Sequence, residues 1–245
     1  RTVHFTTSLV PTAIPYTTDF TNTGEWNLNN SSCENRWKIG TVDTDLNALF
    51  VTNNGVTPGY DAYSAALVTA EKLFAVGTDA EFHIEFDVKV GGEGNSFGDY
   101  DYMKVFFAPA TAEYNACDPI EYLPDWVASD YSVNAVNFAE YLNQSASNNS
   151  IPYKFSLTGG NTVHVSVNMP NPILSPTENS IAKLVFVWFN DIEQGTQPAA
   201  IISNLSVSKV ECPQPVNVVV DNVGPNSAYM YWTGSPDAAF WTLSS

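Results

Sequence analysis

The sequence has few basic residues and no long apolar run. Its 245 residues include 9 Lys and Arg against 26 Asp and Glu, which gives a formal net charge of −17 at pH 7. Such a charge repels nucleic-acid phosphates and the anionic face of a membrane, so we predict neither as a partner. No segment approaches the roughly 20 apolar residues that a membrane-spanning helix needs, which predicts no membrane insertion. No segment is typical of a signal peptide, so a secreted protein would carry its signal outside this chain.

Cysteine is also scarce. Cys33, Cys117 and Cys212 are odd in number and stand at no metal-ligand spacing, which argues against a zinc site. Two alternatives stay open for the first two: a Cys33–Cys117 disulfide, or two free buried thiols. If they are bridged, Cys212 would need a partner that this chain does not contain.

Motifs for catalysis are missing as well. The three histidines, His4, His83 and His164, lie on strand-like segments, and none accompanies a Gly-x-Ser-x-Gly elbow or a nucleophilic cysteine signature. A glycosidase needs two carboxylates about 5 to 10 Å apart, but with 26 acids some pair meets that distance by chance. We therefore predict a protein that is not an enzyme, with no catalytic residue.

Strand patterns dominate what is present. Residues 81–90 (EFHIEFDVKV) alternate apolar and polar side chains, which predicts a strand with one buried and one wet face. The run 184–189 (LVFVWF) is apolar throughout and rich in β-formers, which predicts a strand buried on both faces and ended by Asn190 and Asp191. Such strands recur between Gly, Pro, Asn and Asp turns, and helical periodicity is nearly absent. The sequence therefore predicts an all-β sandwich.

A long inserted loop, at about residues 109–152, interrupts this pattern. Its many aromatic residues argue against disorder, and a loop of this length in a compact domain is typically functional. The aromatics could form a small satellite core that fixes the insertion to the sandwich. Alternatively Tyr122, Trp126 and Tyr131 could present open faces on which sugar rings stack, which makes them our candidate ligand-binding residues.

The two ends differ from the middle. Residues 212–215 (CPQP), 216–220 (VNVVV) and 228–233 (AYMYWT) resemble the first two strands of a fibronectin type III module, with Trp232 as its core tryptophan. Residues 1–10 resemble the closing strand of a preceding module. We therefore predict one domain over residues 11–211, followed by a truncated fibronectin-type segment over 212–245.

The middle of the chain carries several motifs in one order. They are 14–20 (IPYTTDF), Trp26, 35–40 (NRWKIG), 91–94 (GGEG), 100–102 (YDY) with Val105 and Phe106, 188–191 (WFND), 198–201 (PAAI) and Asn204. In this order they resemble cleaved-adhesin domains, the MAM-like jelly rolls of large secreted and surface proteins of Bacteroidetes. The resemblance implies a jelly-roll sandwich whose closing strand, 200–207, lies beside a first strand near Tyr16. It also implies a location outside the cell or on its surface, among other modules of the same polypeptide.

The same resemblance implies a structural calcium ion. Calcium takes several hard oxygen ligands, and Asp19 stands where the family places an acid, although Ser203 replaces a second acid of the family pattern. The other candidate ligands are Glu93, Asp99, Asp101 and Asp191, all in predicted turns. The alternative is that these acids cap strands and face water.

Three functions fit the sequence. We expect a non-catalytic adhesion module that binds a glycan or a host or matrix glycoprotein. A structural spacer that binds nothing tightly would have a similar sequence. So would an ancillary domain of a secreted protease or glycosidase whose catalytic part lies elsewhere in the polypeptide.

Overall fold

A computed structural model describes residues 10–95, 98–112, 161–211, 216–221 and 229–233. Within these residues the chain forms thirteen β-strands and one short 3₁₀ helix, Thr23–Glu25, and no α-helix. Among them, no helix has the length and apolar character needed to cross a membrane. The strands are β1 Tyr16–Thr18, β2 Asn27–Asn29, β3 Arg36–Asp43, β4 Leu46–Thr52, β5 Ala66–Ala75, β6 Glu81–Lys89, β7 Glu93–Asn95, β8 Gly98–Pro109, β9 Val163–Pro170, β10 Ile181–Asn190, β11 Ile201–Lys209, β12 Val216–Asp221 and β13 Tyr229–Thr233.

Eleven of these strands form two antiparallel sheets. Sheet A has the order β2-β5-β10-β8-β7, and sheet B has the order β3-β4-β11-β6-β9, with β1 also paired to β11. The chain changes sheet from β5 to β6, and again at each step from β8 through β9 and β10 to β11. Neighbouring strands within a sheet are therefore often distant in sequence, as in a jelly roll. The predicted all-β sandwich is confirmed.

The apolar run 184–189 lies at the centre of sheet A. It belongs to β10, which pairs with β5 on one side and β8 on the other. Leu184, Phe186 and Trp188 point into the core between the sheets. The alternate side chains join a second buried cluster with residues of β5 and β8, namely Leu67, Tyr102, Phe106, Val185, Val187 and Phe189. The predicted burial on both faces is confirmed.

Sheet B alternates as predicted. In β6, Phe82, Ile84, Phe86 and Val88 are fully buried, while the residues between them are partly exposed. The closing strand β11 pairs with β1, with Tyr16 opposite Val207. The order that the family resemblance implied for the first and last strands is therefore confirmed.

Each sheet ends in an edge strand. β7 pairs with β8 at the edge of sheet A. β9 lies at the edge of sheet B and continues through Met169 to Pro170. Because β9 is also an edge strand, the missing N–H of Pro170 breaks no ladder on its open side.

The predicted strands near the end of the chain are present. β12 and β13 pair in an antiparallel hairpin, which agrees with two predicted strands but does not by itself identify a fibronectin module. The first nine residues, most of the insertion and residues 234–245 lie outside the described residues. The domain boundaries therefore stay predictions.

One cysteine is committed to a disulfide. Cys33 is 8% exposed and is disulfide-bonded. Its partner lies outside the described residues, so the pairing with Cys117 stays a prediction. The alternative in which Cys33 is a free buried thiol is therefore excluded.

A pair of buried asparagines explains why β10 ends where it does. Asn35 and Asn190 are both 0% exposed, and the Asn35 amide donates to Asn190 Oδ1 at 3.1 Å. Asn35 also donates to the carbonyls of Asp61 and Ser64 and accepts from the Asp61 N–H. Asn190 Oδ1 accepts from the Trp188 indole N–H at 3.0 Å. The strand thus ends on a side chain that ties the β4–β5 loop to the core.

We expect Asn35→Ala to destabilise the protein strongly. The change leaves the Asp61 N–H without its partner. It also removes one of the hydrogen bonds that the Asp61 carbonyl, the Ser64 carbonyl and Asn190 Oδ1 each accept, so the free energy of unfolding should fall by about 3 kcal/mol. Urea unfolding measures this free energy. The control is Asn47→Ala on the exposed β3–β4 hairpin, where a change within about 0.5 kcal/mol is expected. Equal effects at the two sites would contradict the role of the buried pair.

Candidate metal centre

Three acidic side chains converge at one end of the sandwich. Glu93 comes from β7, Asp101 from β8 and Asp191 from the loop that follows β10. One carboxylate oxygen of each lies within 4.8 Å of the other two. The sequence identified the three acids separately as turn residues, and the fold brings them together.

Asp101 is the buried member of the group. It is 0% exposed; its Oδ2 accepts a hydrogen bond from the Tyr60 hydroxyl at 2.6 Å, and its Oδ1 accepts from the Asp191 N–H at 3.1 Å. Burial raises the pKa of Asp101 from its ordinary 3.8 to about 6, and the negative charges of Asp191 and Glu93 add to the rise. The surroundings of Asp101 thus disfavour its ionised form.

Glu93 has an unpartnered oxygen. Its Oε2 is buried and makes no hydrogen bond. Burial raises the pKa of Glu93, and the charges of Asp191 and Glu193 raise it further. A desolvated carboxylate oxygen without a donor costs free energy, and a cation would satisfy it. Three carboxylates that offer only oxygen fit Ca²⁺, whose ligands are hard oxygens.

Glycine backbones enclose the three acids. A Cβ at residue 195 would overlap the Tyr60 hydroxyl and lie 2.5 Å from Asp101 Oδ2, and a Cβ at residue 91 would overlap the Thr196 carbonyl. Gly92 has a φ of 115°, which a residue with a side chain rarely adopts. The motif 91–94 (GGEG) and Gly195 are therefore required for the chain to pass this close to the acids.

Sequence reasoning missed the residues that hold this centre in place. The Tyr60 ring packs edge-on against Trp188 at 4.9 Å. The Gln197 side chain accepts from the Tyr60 N–H at 3.2 Å and donates to the Tyr60 carbonyl at 2.7 Å. Tyr60 is distant in sequence from all three acids, Gln197 lies six residues after Asp191, and neither stands in a recognisable motif. Only the Gly residues around Glu93 signalled a close backbone approach.

The other predicted site residues lie elsewhere. Asp19 is exposed next to β1, where its Oδ1 accepts from the Thr21 N–H at 3.1 Å and from the Thr21 hydroxyl at 2.8 Å. It is not among the three converging acids. The side chain of Asp99 lies outside what the structure describes, and so do the candidate ligand-binding residues Tyr122, Trp126 and Tyr131.

Comparisons with known proteins give weak likenesses. No protein-family model matches the chain, and no curated protein matches it. Similar solved structures include the enzymatically active domain of tailspike protein 4 from bacteriophage CBA120, with 12% identity, a TM-score of 0.40 and coverage of 78% of this chain but only 20% of that one.

Two further solved structures match this chain over nearly their whole length. A candidate sugar-binding protein from Bacteroides thetaiotaomicron has 14% identity and a TM-score of 0.39, over 83% of this chain and 95% of that one. A cleaved adhesin domain of Lys-gingipain from Porphyromonas gingivalis has 9% identity and a TM-score of 0.38, over 80% and 98%. At these TM-scores the likenesses carry no argument about function, which has to rest on the geometry.

The raised pKa of Asp101 predicts a pH dependence of stability without metal. Because the folded state binds this proton more tightly than the unfolded state, stability falls as pH rises from about 4 to about 6. The shift corresponds to roughly 3 kcal/mol. In EDTA, we expect the free energy of unfolding of the wild type, relative to Asp101→Asn, to fall by about that amount between pH 4 and pH 7. Parallel pH profiles for the two proteins would contradict the assignment.

Proposed function

We propose that this chain is a non-catalytic extracellular binding module of the cleaved-adhesin type, and that Glu93, Asp101 and Asp191 hold a structural Ca²⁺ in it. The observation that carries the proposal is the enclosed group of three carboxylates, one of which has a buried oxygen without a partner. The ligand of the module would be a glycan or a glycoprotein.

The enclosure supports a structural role for the ion. Both oxygens of Asp101 already accept hydrogen bonds, and the backbones of Gly91 and Gly195 fill the space beside the acids. The close approach of these backbones argues against a substrate at the centre and is compatible with an ion that the carboxylates ligate directly. A cation here would join β7, β8 and the β10–β11 loop, which otherwise repel one another through their charges.

One feature supports a location outside the cell. The disulfide at Cys33 is typical of proteins that fold in an oxidising compartment. Extracellular modules commonly bind Ca²⁺ with dissociation constants of about 10⁻⁴ to 10⁻³ M, which suits a site with three carboxylates. A spacer or an ancillary domain could hold the same ion, so a binding experiment is needed to separate those roles from adhesion.

We expect Ca²⁺ to stabilise the wild-type protein. An ion at 100 times its dissociation constant contributes about 2.7 kcal/mol, which for a domain of this size corresponds to a rise in Tm of roughly 5–10 °C. Thermal unfolding in EDTA and in CaCl₂ measures the rise. Mg²⁺ should give a smaller one, since it demands a stricter geometry.

Variants of the acids sharpen this experiment. Asp101→Asn should be more stable than the wild type in EDTA at pH 7, because it removes a buried charge, and should gain little from Ca²⁺. Glu93→Gln should also lose the gain. The matched control is Asp45→Asn, which removes an exposed acid in the β3–β4 turn and should keep it. The proposal fails if Ca²⁺ leaves the wild-type Tm unchanged, or if Asp101→Asn gains as much as the wild type.

A further inference from the structure

The outer surface of sheet B carries a continuous polar face. Its members point away from the core on four adjacent strands: Thr17 of β1, Asn204, Ser206 and Ser208 of β11, His83, Glu85 and Asp87 of β6, and His164, Ser166 and Asn168 of β9. One row crosses all four strands, with Thr17 opposite Ser206, Ser206 opposite Glu85 and Glu85 opposite Ser166. Four strands span about 14 Å. We call this surface the polar face.

Hydrogen bonds hold one side of the polar face in a fixed arrangement. Asp87 Oδ1 lies 2.8 Å from His164 Nδ1, and Asp87 Oδ2 accepts from the Asn204 amide at 2.7 Å. The His164 side chain is 60% exposed, and its Nε2 lies 4.0 Å from Glu85 Oε1. Asp87 thus orients a histidine and an asparagine toward the outside.

Glu85 and His83 link the strands on the other side of the polar face through a second set of contacts. His83 Nδ1 lies 2.6 Å from Asn168 Oδ1, and His83 Nε2 lies 3.1 Å from Glu85 Oε1. Ser206 donates to the other Glu85 oxygen at 3.4 Å. Groups that are already oriented lose less entropy when a ligand binds, so the network is suited to binding.

A cleft of about 590 Å³ adjoins the polar face on the side of β1. Residues from the β1 strand and the segment after it form one wall, and β11 forms the other; the lining residues are Thr17, Thr18, Asp19, Thr21, Asn22, Glu25, Asn204, Leu205 and Ser206. Hydroxyl, amide and carboxylate groups predominate, and these both donate to and accept from sugar hydroxyls. The volume lies within the usual range of small-molecule sites.

Backbone strain lies on both walls of the cleft. Phe20 has a φ of 58° although its ring is buried against Trp26, and a bulky residue in this conformation is a real outlier. Asn204 has a φ of 53° and stands where the β6–β11 register shifts. Bulges of this kind re-aim side chains and occur often beside binding sites. Here the bulge turns Asn204 toward both the cleft and Asp87.

The charge of this surface selects among ligands. The polar face contains two carboxylates and two histidines; Lys89 follows Asp87 on the outward side of β6, and the adjoining cleft adds Asp19 and Glu25. Lys72 pairs with Glu25 at 3.2 Å, while Asp19 is exposed. A ligand with carboxylate or sulfate groups would therefore meet like charges, whereas uncharged hydroxyl groups would find acceptors and donors.

We infer that the polar face and its cleft are the ligand site of this module, and that they bind an uncharged oligosaccharide. The inference rests on the proposed function and names the site and ligand class that it leaves open. It places the site on sheet B rather than on the aromatic residues of the insertion.

The probes are lactose, its sialylated form sialyllactose, and neutral oligosaccharides of glucose, mannose and N-acetylglucosamine, each titrated in CaCl₂ into the ¹⁵N-labelled chain. At least one neutral probe should shift amide resonances that cluster in β1, β6, β9 and β11. A neutral sugar that binds should lose affinity when a sialic acid is added. Shifts confined to other strands, or no shift with any neutral probe, would overturn the inference.

Two variants test the site directly. Thr17→Arg places a long side chain in the cleft, and Asp87→Asn removes the acceptor that His164 and Asn204 share; each should weaken binding at least about tenfold. The matched control is Thr41→Arg, at an exposed position of β3 on the same sheet, which should bind as the wild type does. Unchanged affinity in both site variants, with loss of binding in Trp126→Ala, would place the site on the insertion instead.

Thermal unfolding of the same samples separates the two proposals. If Ca²⁺ stabilises the wild type but no neutral sugar binds, the oligosaccharide site is wrong and the calcium-held module stands. If Ca²⁺ has no effect on Tm, the proposed metal centre is wrong whether or not sugars bind. Retention of the wild-type Tm by Thr17→Arg and Asp87→Asn shows that a loss of binding is not a loss of folding.

Discussion

The buried contact between Asn35 and Asn190 is the constraint on which the functional end of this molecule depends. Two amides with no access to water must find all their partners within the protein, and they find them in Trp188, Asp61 and Ser64. This requirement fixes the β4–β5 loop against the end of β10. The loop carries Tyr60, and the end of β10 leads into Asp191, so the contact also positions the acidic centre.

The positions of the β4–β5 loop and of the end of β10 in turn determine the geometry of the acidic centre. Tyr60 and the Asp191 N–H hold Asp101 in a place where water does not reach it, and Glu93 is brought close by glycines that leave no room for a side chain. Burial and, to a smaller extent, the charges of Asp191 and Glu93 raise the pKa of Asp101, so its ionised form opposes folding. The divalent cation that we propose would convert this repulsion into attraction.

The two sheets differ on their outer surfaces. Sheet A has apolar side chains on both faces of β10, and both are buried. Sheet B has apolar side chains toward the core and a connected set of small polar groups toward solvent. Only an outer surface that stays accessible can bind a ligand. The difference between the outer surfaces of the two sheets therefore begins in the alternation of β6 and β9 and in the unbroken apolar run of β10.

The sequence by itself determined the strands, their buried faces and the all-β class, because alternation and apolar runs act over neighbouring residues. It also indicated the acids at strand ends and, by resemblance, the pairing of β1 with β11. It did not determine which acids meet: Asp19 was included although it lies apart from Glu93, Asp101 and Asp191. Nor did it indicate Tyr60, Gln197 or the network through Asp87 and Glu85. Those groups come from loops and strands that are mostly distant in sequence, and only the crossing of the chain between two sheets brings them within hydrogen-bonding distance.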